Sequence, residues 1–155
     1  QTCALPIWPP YKTRKGRTVY GGGGITPDIH IPWELELNET TRKILSHPNR
    51  FMFNWSTQYI KENKIGGKYA TFQSDWELPE EAVDGFYNYI NEEEDFDKEE
   101  FEANRSYLKV ILKSEVAGAK WGRDELWGIR IAADNQVMDA LKHFNEADAF
   151  LVESN

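Results

Sequence analysis

Apolar positions along the chain follow two different rhythms. Up to residue 33 they come in short β-prone groups: Tyr11-Lys12-Thr13, Thr18-Val19-Tyr20 and Ile29-His30-Ile31. Arg14-Lys15-Gly16-Arg17 supplies a turn between the first two, with glycine for a left-handed position, so a hairpin is predicted there. A third short strand is predicted at Ile29-His30-Ile31, ended by Pro32. From residue 38 onward the apolar residues recur every three or four positions, the period of helices packed on one face.

Asn38 or Thr40 can cap a first helix through Leu45. It stops at His47-Pro48, because the residue before proline is pushed out of helical geometry. Asn49 can cap a second, with Met52, Trp55 and Tyr59 on one face and Phe53 and Ile60 beside it. Lys64-Ile65-Gly66-Gly67 ends that helix with a basic last turn and a glycine stop. Residues 68–77 read as a loop. Leu78-Pro79-Glu80-Glu81 opens a third helix, with proline at its first position and two acids near the positive end of its dipole. Its stripe is Val83, Phe86, Tyr87 and Ile90.

A long helix from Lys98 to Lys120 turns Phe101, Leu108, Ile111 and Leu112 inward, and Trp121-Gly122-Arg123-Asp124 breaks it. A last helix carries Leu126, Ile129, Ala133, Val137, Ala140, Leu141, Phe144 and Leu151 on one face. These two helices are expected to form an antiparallel αα-hairpin, its open side covered by the helix from Pro79. The predicted class is α+β: a short β segment, a hairpin plus one strand, followed by a mostly α-helical C-terminal region with a long antiparallel helix pair.

Composition narrows the partners. At 155 residues and 40% hydrophobic, the chain can bury about two-thirds of its unfolded surface. A net charge of −8 argues against nucleic-acid and anionic-membrane partners, since both need a basic face. No apolar run approaches the ~20 residues of a membrane span. The sequence shows neither an initiating Met nor a signal peptide, so the true start is expected upstream. Gln1-Thr2-Cys3-Ala4-Leu5-Pro6-Ile7 resembles the translation of a sequencing-adapter end, an artefact that would leave no native cysteine and a native chain starting near Trp8.

Gly21-Gly22-Gly23-Gly24 tests the phosphate-loop reading. A P-loop needs Gly-Lys-Ser/Thr opening a helix, whereas Ile25-Thr26-Pro27-Asp28 follows here, and Pro27 removes a backbone donor. The dinucleotide pattern fails as well, its third glycine falling on Pro27 before the strand-like Ile29-His30-Ile31. Four glycines between strands instead let the chain take positive φ and pass close to another backbone. Asp28 can hydrogen-bond that turn.

The same block carries a family resemblance. Tyr11-Lys12-Thr13, Gly16-Arg17, Val19-Tyr20, Gly22-Gly23-Gly24-Ile25 and Pro27-Asp28 resemble, in order and spacing, a stretch of the carboxyl-terminal processing peptidases, tail-specific serine proteases with a Ser-Lys dyad. In that family the block lies late in the protease domain, downstream of the catalytic residues. The resemblance implies that residues 8–37 are the end of a peptidase catalytic domain, 38–77 short helices and loop, and 78–155 a helical C-terminal region. A looser likeness in the tail rests on Tyr107-Leu108-Lys109, Asp134, Gln136-Val137 and Ala140-Leu141. Protein or peptide substrates, a possible homo-oligomer, a bacterial origin and a periplasmic or cell-envelope location are implied by the family alone.

Catalytic chemistry is not legible within the chain. The family's serine lies in a Ser-Ala-rich turn and its lysine in a Gly-Lys-Gly setting, and neither occurs here. A lysine base must also be desolvated and within reach of an oriented serine. Ser46, Ser56, Ser74, Ser106, Ser114 and Ser154 lack that signature, so the catalytic Ser and Lys are expected upstream and this segment alone is expected to be inactive. His30, His47 and His143 are too far apart for a metal motif, and no cofactor pattern is present. Seven acids in Glu92–Glu100 could hold a cation, but they lack calcium-loop spacing and read as a solvated connection. Trp55, Trp121 and Trp127 read as core; Trp8, Trp33 and Trp76 fall in loops. The alternative function is a non-catalytic helical interaction module that binds through the Val83/Phe86/Ile90 stripe or the tryptophans.

Overall fold

A computed structural model describes residues 9–14, 16, 18–21, 29–33 and 35–147. The adapter-like residues, the run Gly22 to Gly24 with Pro27 and Asp28, Leu151 and Ser154 lie outside the described residues. The chain divides into two units, residues 33–138 and residues 1–32 with 139–155.

In the second of these, the expected hairpin forms. Strands β1 (Pro10–Lys12) and β2 (Thr18–Tyr20) pair antiparallel, with Tyr11 opposite Val19. Gly16 takes φ 84° in the turn, and its N–H donates to the Thr13 carbonyl at 2.9 Å. Every residue of both strands is exposed. Ile29-His30-Ile31 does not enter a strand, so the predicted third strand is absent among the described residues. A three-residue segment ended by proline has too few ladder donors to hold without a neighbour.

Residues 33–138 are helical. They comprise α1 (Glu39–Ser46), α2 (Phe51–Asn63), α3 (Tyr69–Asp75), α4 (Glu80–Asn91), α5 (Lys98–Ala103), α6 (Arg105–Lys120), α7 (Arg123–Ala132) and the start of α8 (Asn135–Lys142). The chain is thus mostly helical with a small two-stranded antiparallel sheet, compatible with α+β. Asn38 caps α1 by accepting from the Thr41 N–H at 2.9 Å, and α4 carries Glu80 and Glu81 in its first turn. Val83, Phe86 and Ile90 face the main core with Phe101, Leu108 and Leu112 from α5 and α6, as their spacing predicts.

Several boundaries differ from the pattern. Pro79 caps α4 from outside rather than starting it. Arg50, not Asn49, precedes α2, and Lys64 ends it; both are left-handed, with φ 51° and 52°. The reversal at Lys64 comes before the glycines because Ile65 must turn onto a second cluster made of Phe72, Val116, Ala117 and Ile129. Residues 69–75, expected as loop, form α3. Its buried Phe72 stacks on Trp76 with centroids 4.5 Å apart and meets Trp121 at 4.7 Å, the second a contact between segments too distant for a local pattern to show.

Neither long helix of the expected pair is continuous. Asn104 leaves helical geometry at ψ 17° and separates α5 from α6. Its side chain turns away to accept from the Asn38 N–H at 3.0 Å and to donate to the Glu36 carbonyl at 3.1 Å. Asp134 divides α7 from α8, its carboxylate accepting from the Val137 N–H at 3.1 Å. The hairpin of α6 and α7 is nevertheless present: Gly118 lies against Leu126 and Ser114 against Arg130. A Cβ on Gly118 would come 2.8 Å from Leu126 Cδ1, so glycine permits the close approach near the turn. On α7, Gly128 leaves room for the Tyr69 hydroxyl, which donates to the Glu125 carbonyl at 3.0 Å.

Candidate functional site

The unit of residues 33–138 carries an open groove of 580 Å³. It is lined by Tyr107, Val110 and Ile111 of α6, by Trp127 and Arg130 of α7 with Ala133 just beyond it, and by Trp33 and Leu35. Ser106, Asp134 and Asn135 add polar groups. Trp33 and Trp127 remain 50% and 45% exposed. Trp127 therefore corrects the expectation that it belongs to the core. It follows Leu126 and precedes Ile129 on a ten-residue helix packed on one side, which leaves it on the outward face.

Arg130 fixes the α7 side of the groove. Its guanidinium lies 5.5 Å from the Trp127 ring centre, donates from Nε to Ser114 Oγ at 3.0 Å and pairs with Glu115 at 2.8 Å. A planar cation held this way presents the indole face at a defined angle. Apolar floor, two half-exposed indoles and a few polar groups are the ingredients of a site for an apolar or aromatic side chain of a peptide.

A smaller neighbouring hollow of 400 Å³ is charged and internally neutralised. Lys109 binds Glu80 at 2.6 Å; Lys113 donates to the Gln73 carbonyl at 3.1 Å and lies 3.5 Å from Glu77. Arg105 pairs with Glu80 at 2.9 Å, Asp84 at 2.8 Å and Glu102 at 3.0 Å. Hydrogen bonds from Lys109 and then Arg105 hold the Glu80 carboxyl below its ordinary value of 4.5. Burial acts to lower the Arg105 pKa, but the bonds from Glu80 and Asp84 outweigh it, and the pKa is raised.

The pH consequence has a defined sign. Because folding depresses the Glu80 pKa, its contribution is present above the unfolded value and lost as pH falls through the folded one. Stability is therefore expected to fall as pH drops below 4.5, and Glu80→Gln is expected to flatten that slope. Urea denaturation of both proteins across the acid range measures this; identical slopes would contradict it.

The remaining sequence candidates are dispersed. Ser46, Ser74 and Ser114 donate to the Arg42, Ala70 and Ile111 carbonyls, and the buried Ser56 hydroxyl finds no partner among the described residues. Ser106 shares the charged hollow with Lys109, whose ammonium is engaged by Glu80. His47 stacks on Phe51 at 4.2 Å and hydrogen-bonds Glu94 at 3.1 Å, a structural role. The acidic run is less solvated than expected. Glu94 also pairs with Lys43, whose hydrogen bond is the main cause of its lowered pKa; Glu100 accepts from the Thr40 N–H at 2.8 Å; Asp97 caps α5. Phe96 within the run is buried. No group of three metal-ligating side chains occurs among the described residues, and no helix there is long and apolar enough to cross a membrane.

Sequence reasoning missed the groove. Trp33 and Trp127 are 94 positions apart, and only the return of α7 along α6 brings them to one cleft. Comparison with protein-family models, curated proteins and solved structures finds no match for this chain.

Proposed function

We propose that the chain is the non-catalytic C-terminal part of a Ser-Lys serine endopeptidase that cleaves proteins near their C-termini, with catalytic serine and lysine lying upstream. The observation that carries this reading is the Gly16-Arg17-Thr18-Val19-Tyr20 to Pro27-Asp28 block, the most specific motif in the sequence. The exposure of β1 and β2 supports it, because a bare two-stranded ribbon is at best marginally stable and suits a place within a larger sheet.

The test is to sequence the source DNA upstream of the Trp8 codon. An open frame running into a Ser-Ala-rich turn and a Gly-Lys-Gly lysine is expected, with peptidase activity of the full protein lost when either residue becomes alanine. A stop and a start codon beside Trp8 would overturn the assignment. A free-standing interaction module is then the reading left, and one observation favours its binding surface. Val83, Phe86 and Ile90 are 0% exposed and closed to a partner, whereas the indoles of the groove are open.

A further inference from the structure

We propose that the furrow between α2 and α4 docks a basic amphipathic helix of a partner protein. The furrow holds about 480 Å³, and α4 lines it with Glu81, Gly85, Asn88 and Glu92. These are four, three and four positions apart, one stripe of the helix turned away from the buried Val83, Phe86 and Ile90. From α2 come Trp55, Tyr59 and Glu62, with the two rings stacked at 4.7 Å.

Charge selects the occupant. Three carboxylates line the furrow, and no lysine or arginine does. Glu62 takes a hydrogen bond from the Gln58 amide at 2.8 Å, while Glu81 and Glu92 form no ion pair among the described residues. Other acids of this unit do find cations: Glu80 pairs with Lys109, Glu94 with Lys43 and Glu115 with Arg130. Glu92 also stands at the C-terminal end of α4, where the dipole opposes a negative charge and the last turn holds no basic residue. A cation carried by the occupant offsets both.

Two further features fit a ligand. Glycine in the middle of a helix is destabilising, and the fold gives Gly85 no steric reason, since a Cβ there would meet nothing within 4 Å. Its effect is to keep the centre of the stripe low, so that a second backbone can lie across it. Trp55 is only 8% exposed, and its indole N–H has no acceptor among the described residues. Unlike the Thr41 and Ser56 hydroxyls, that N–H is not sealed from solvent, so it opens where Trp55 lines the furrow. An acceptor side chain on the occupant would complete it.

Length makes the occupant a polypeptide. Glu81 and Glu92 are eleven positions apart, about 16 Å along the helix axis. A small cation reaches one end of the stripe only. A helix laid along α4 sets basic residues at i and i+11 over the two carboxylates, with small or apolar residues at i+4 and i+7 over Gly85 and the Trp55–Tyr59 stack. Nothing in this rests on the peptidase reading, and the upstream DNA sequence leaves it untouched.

The test is to titrate the nitrogen-15-labelled full chain with an alanine-glutamine peptide of about fifteen residues carrying two lysines eleven positions apart. The Trp55 indole signal is expected to shift and saturate, and the affinity to fall as salt is added. The same peptide with glutamate for both lysines is expected to leave that signal unmoved. Glu81→Gln and Glu92→Gln are each expected to weaken binding about two- to fivefold. Gly85→Leu is expected to abolish it with the rest of the spectrum intact, because the new side chain enters open space. No shift with the lysine peptide would overturn the proposal. So would equal binding of the glutamate peptide, equal binding of lysine amide alone, or full affinity in the Gly85→Leu chain. Should Gly85→Leu not fold, the double variant Glu81→Gln with Glu92→Gln decides, and undiminished binding there overturns the proposal as well.

Discussion

Phe86→Ala is expected to cost the helical unit about 3–5 kcal/mol, the usual penalty for emptying a fully buried aromatic position. Phe86 is 0% exposed. Its ring meets Trp55 edge-on with centroids 5.6 Å apart and lies 6.3 Å from Phe101. It thus holds α2, α4 and α5 together, and none of those neighbours can move into the gap without leaving its own contacts. Domains of this size are stable by about 5–15 kcal/mol, so the substitution removes a large share of the margin. Urea denaturation followed by circular dichroism measures the loss. Trp127→Ala serves as the contrast: its ring is half exposed, and a clearly smaller loss than that of Phe86→Ala is expected. A Phe86→Ala protein as stable as the Trp127→Ala protein would contradict this account of the core.

Asn104→Ala is expected to follow, with a loss of about 1–3 kcal/mol. The buried amide ties the break between α5 and α6 to the segment before α1: it accepts from the Asn38 N–H and donates to the Glu36 carbonyl. Alanine leaves the Asn38 donor without its partner while slightly favouring a continuous helix, and the second effect, at most about 0.7 kcal/mol, is the smaller. Asn104→Asp keeps the acceptor and loses the donor, so an intermediate loss is expected. The same denaturation curves decide it, with faster amide exchange at Asn38 in the alanine protein as the local signature. Unchanged exchange at Asn38 would show that this bond does not hold the segment.

What could be read from the sequence was whatever is settled within a turn or two of chain. The Val83, Phe86, Ile90 stripe, the inward row of Phe101, Leu108, Ile111 and Leu112, the Asn38 cap and the Tyr11–Tyr20 hairpin all depend on local period or local hydrogen bonding. The departures depend on partners far away. Asn104 interrupts a pattern that reads as one helix because its side chain is drawn to residues 36 and 38. The segment 69–75 becomes helical because Phe72 is held against Trp121 and Tyr69 reaches Glu125. The predicted last helix shows the reverse. Val137, Leu141 and Phe144 keep helical spacing but stay 37%, 50% and 61% exposed, so the spacing identified a face without specifying a cover. The groove belongs with the long-range features, since no short window contains both of its indoles.

The tie between residues 36–40 and 100–104 also sets an order of events during synthesis. Asn38 and Asn104 are 66 positions apart. A ribosome adding 5–20 residues per second needs roughly 3–13 seconds to cover that distance. Through that interval α1 can cap itself through Asn38 and Thr41, but α5, against which it packs, has not yet been made. Ile44 is left without the later-made part of the core cluster that it joins. Nascent chains paused anywhere before residue 104 share this unfinished state.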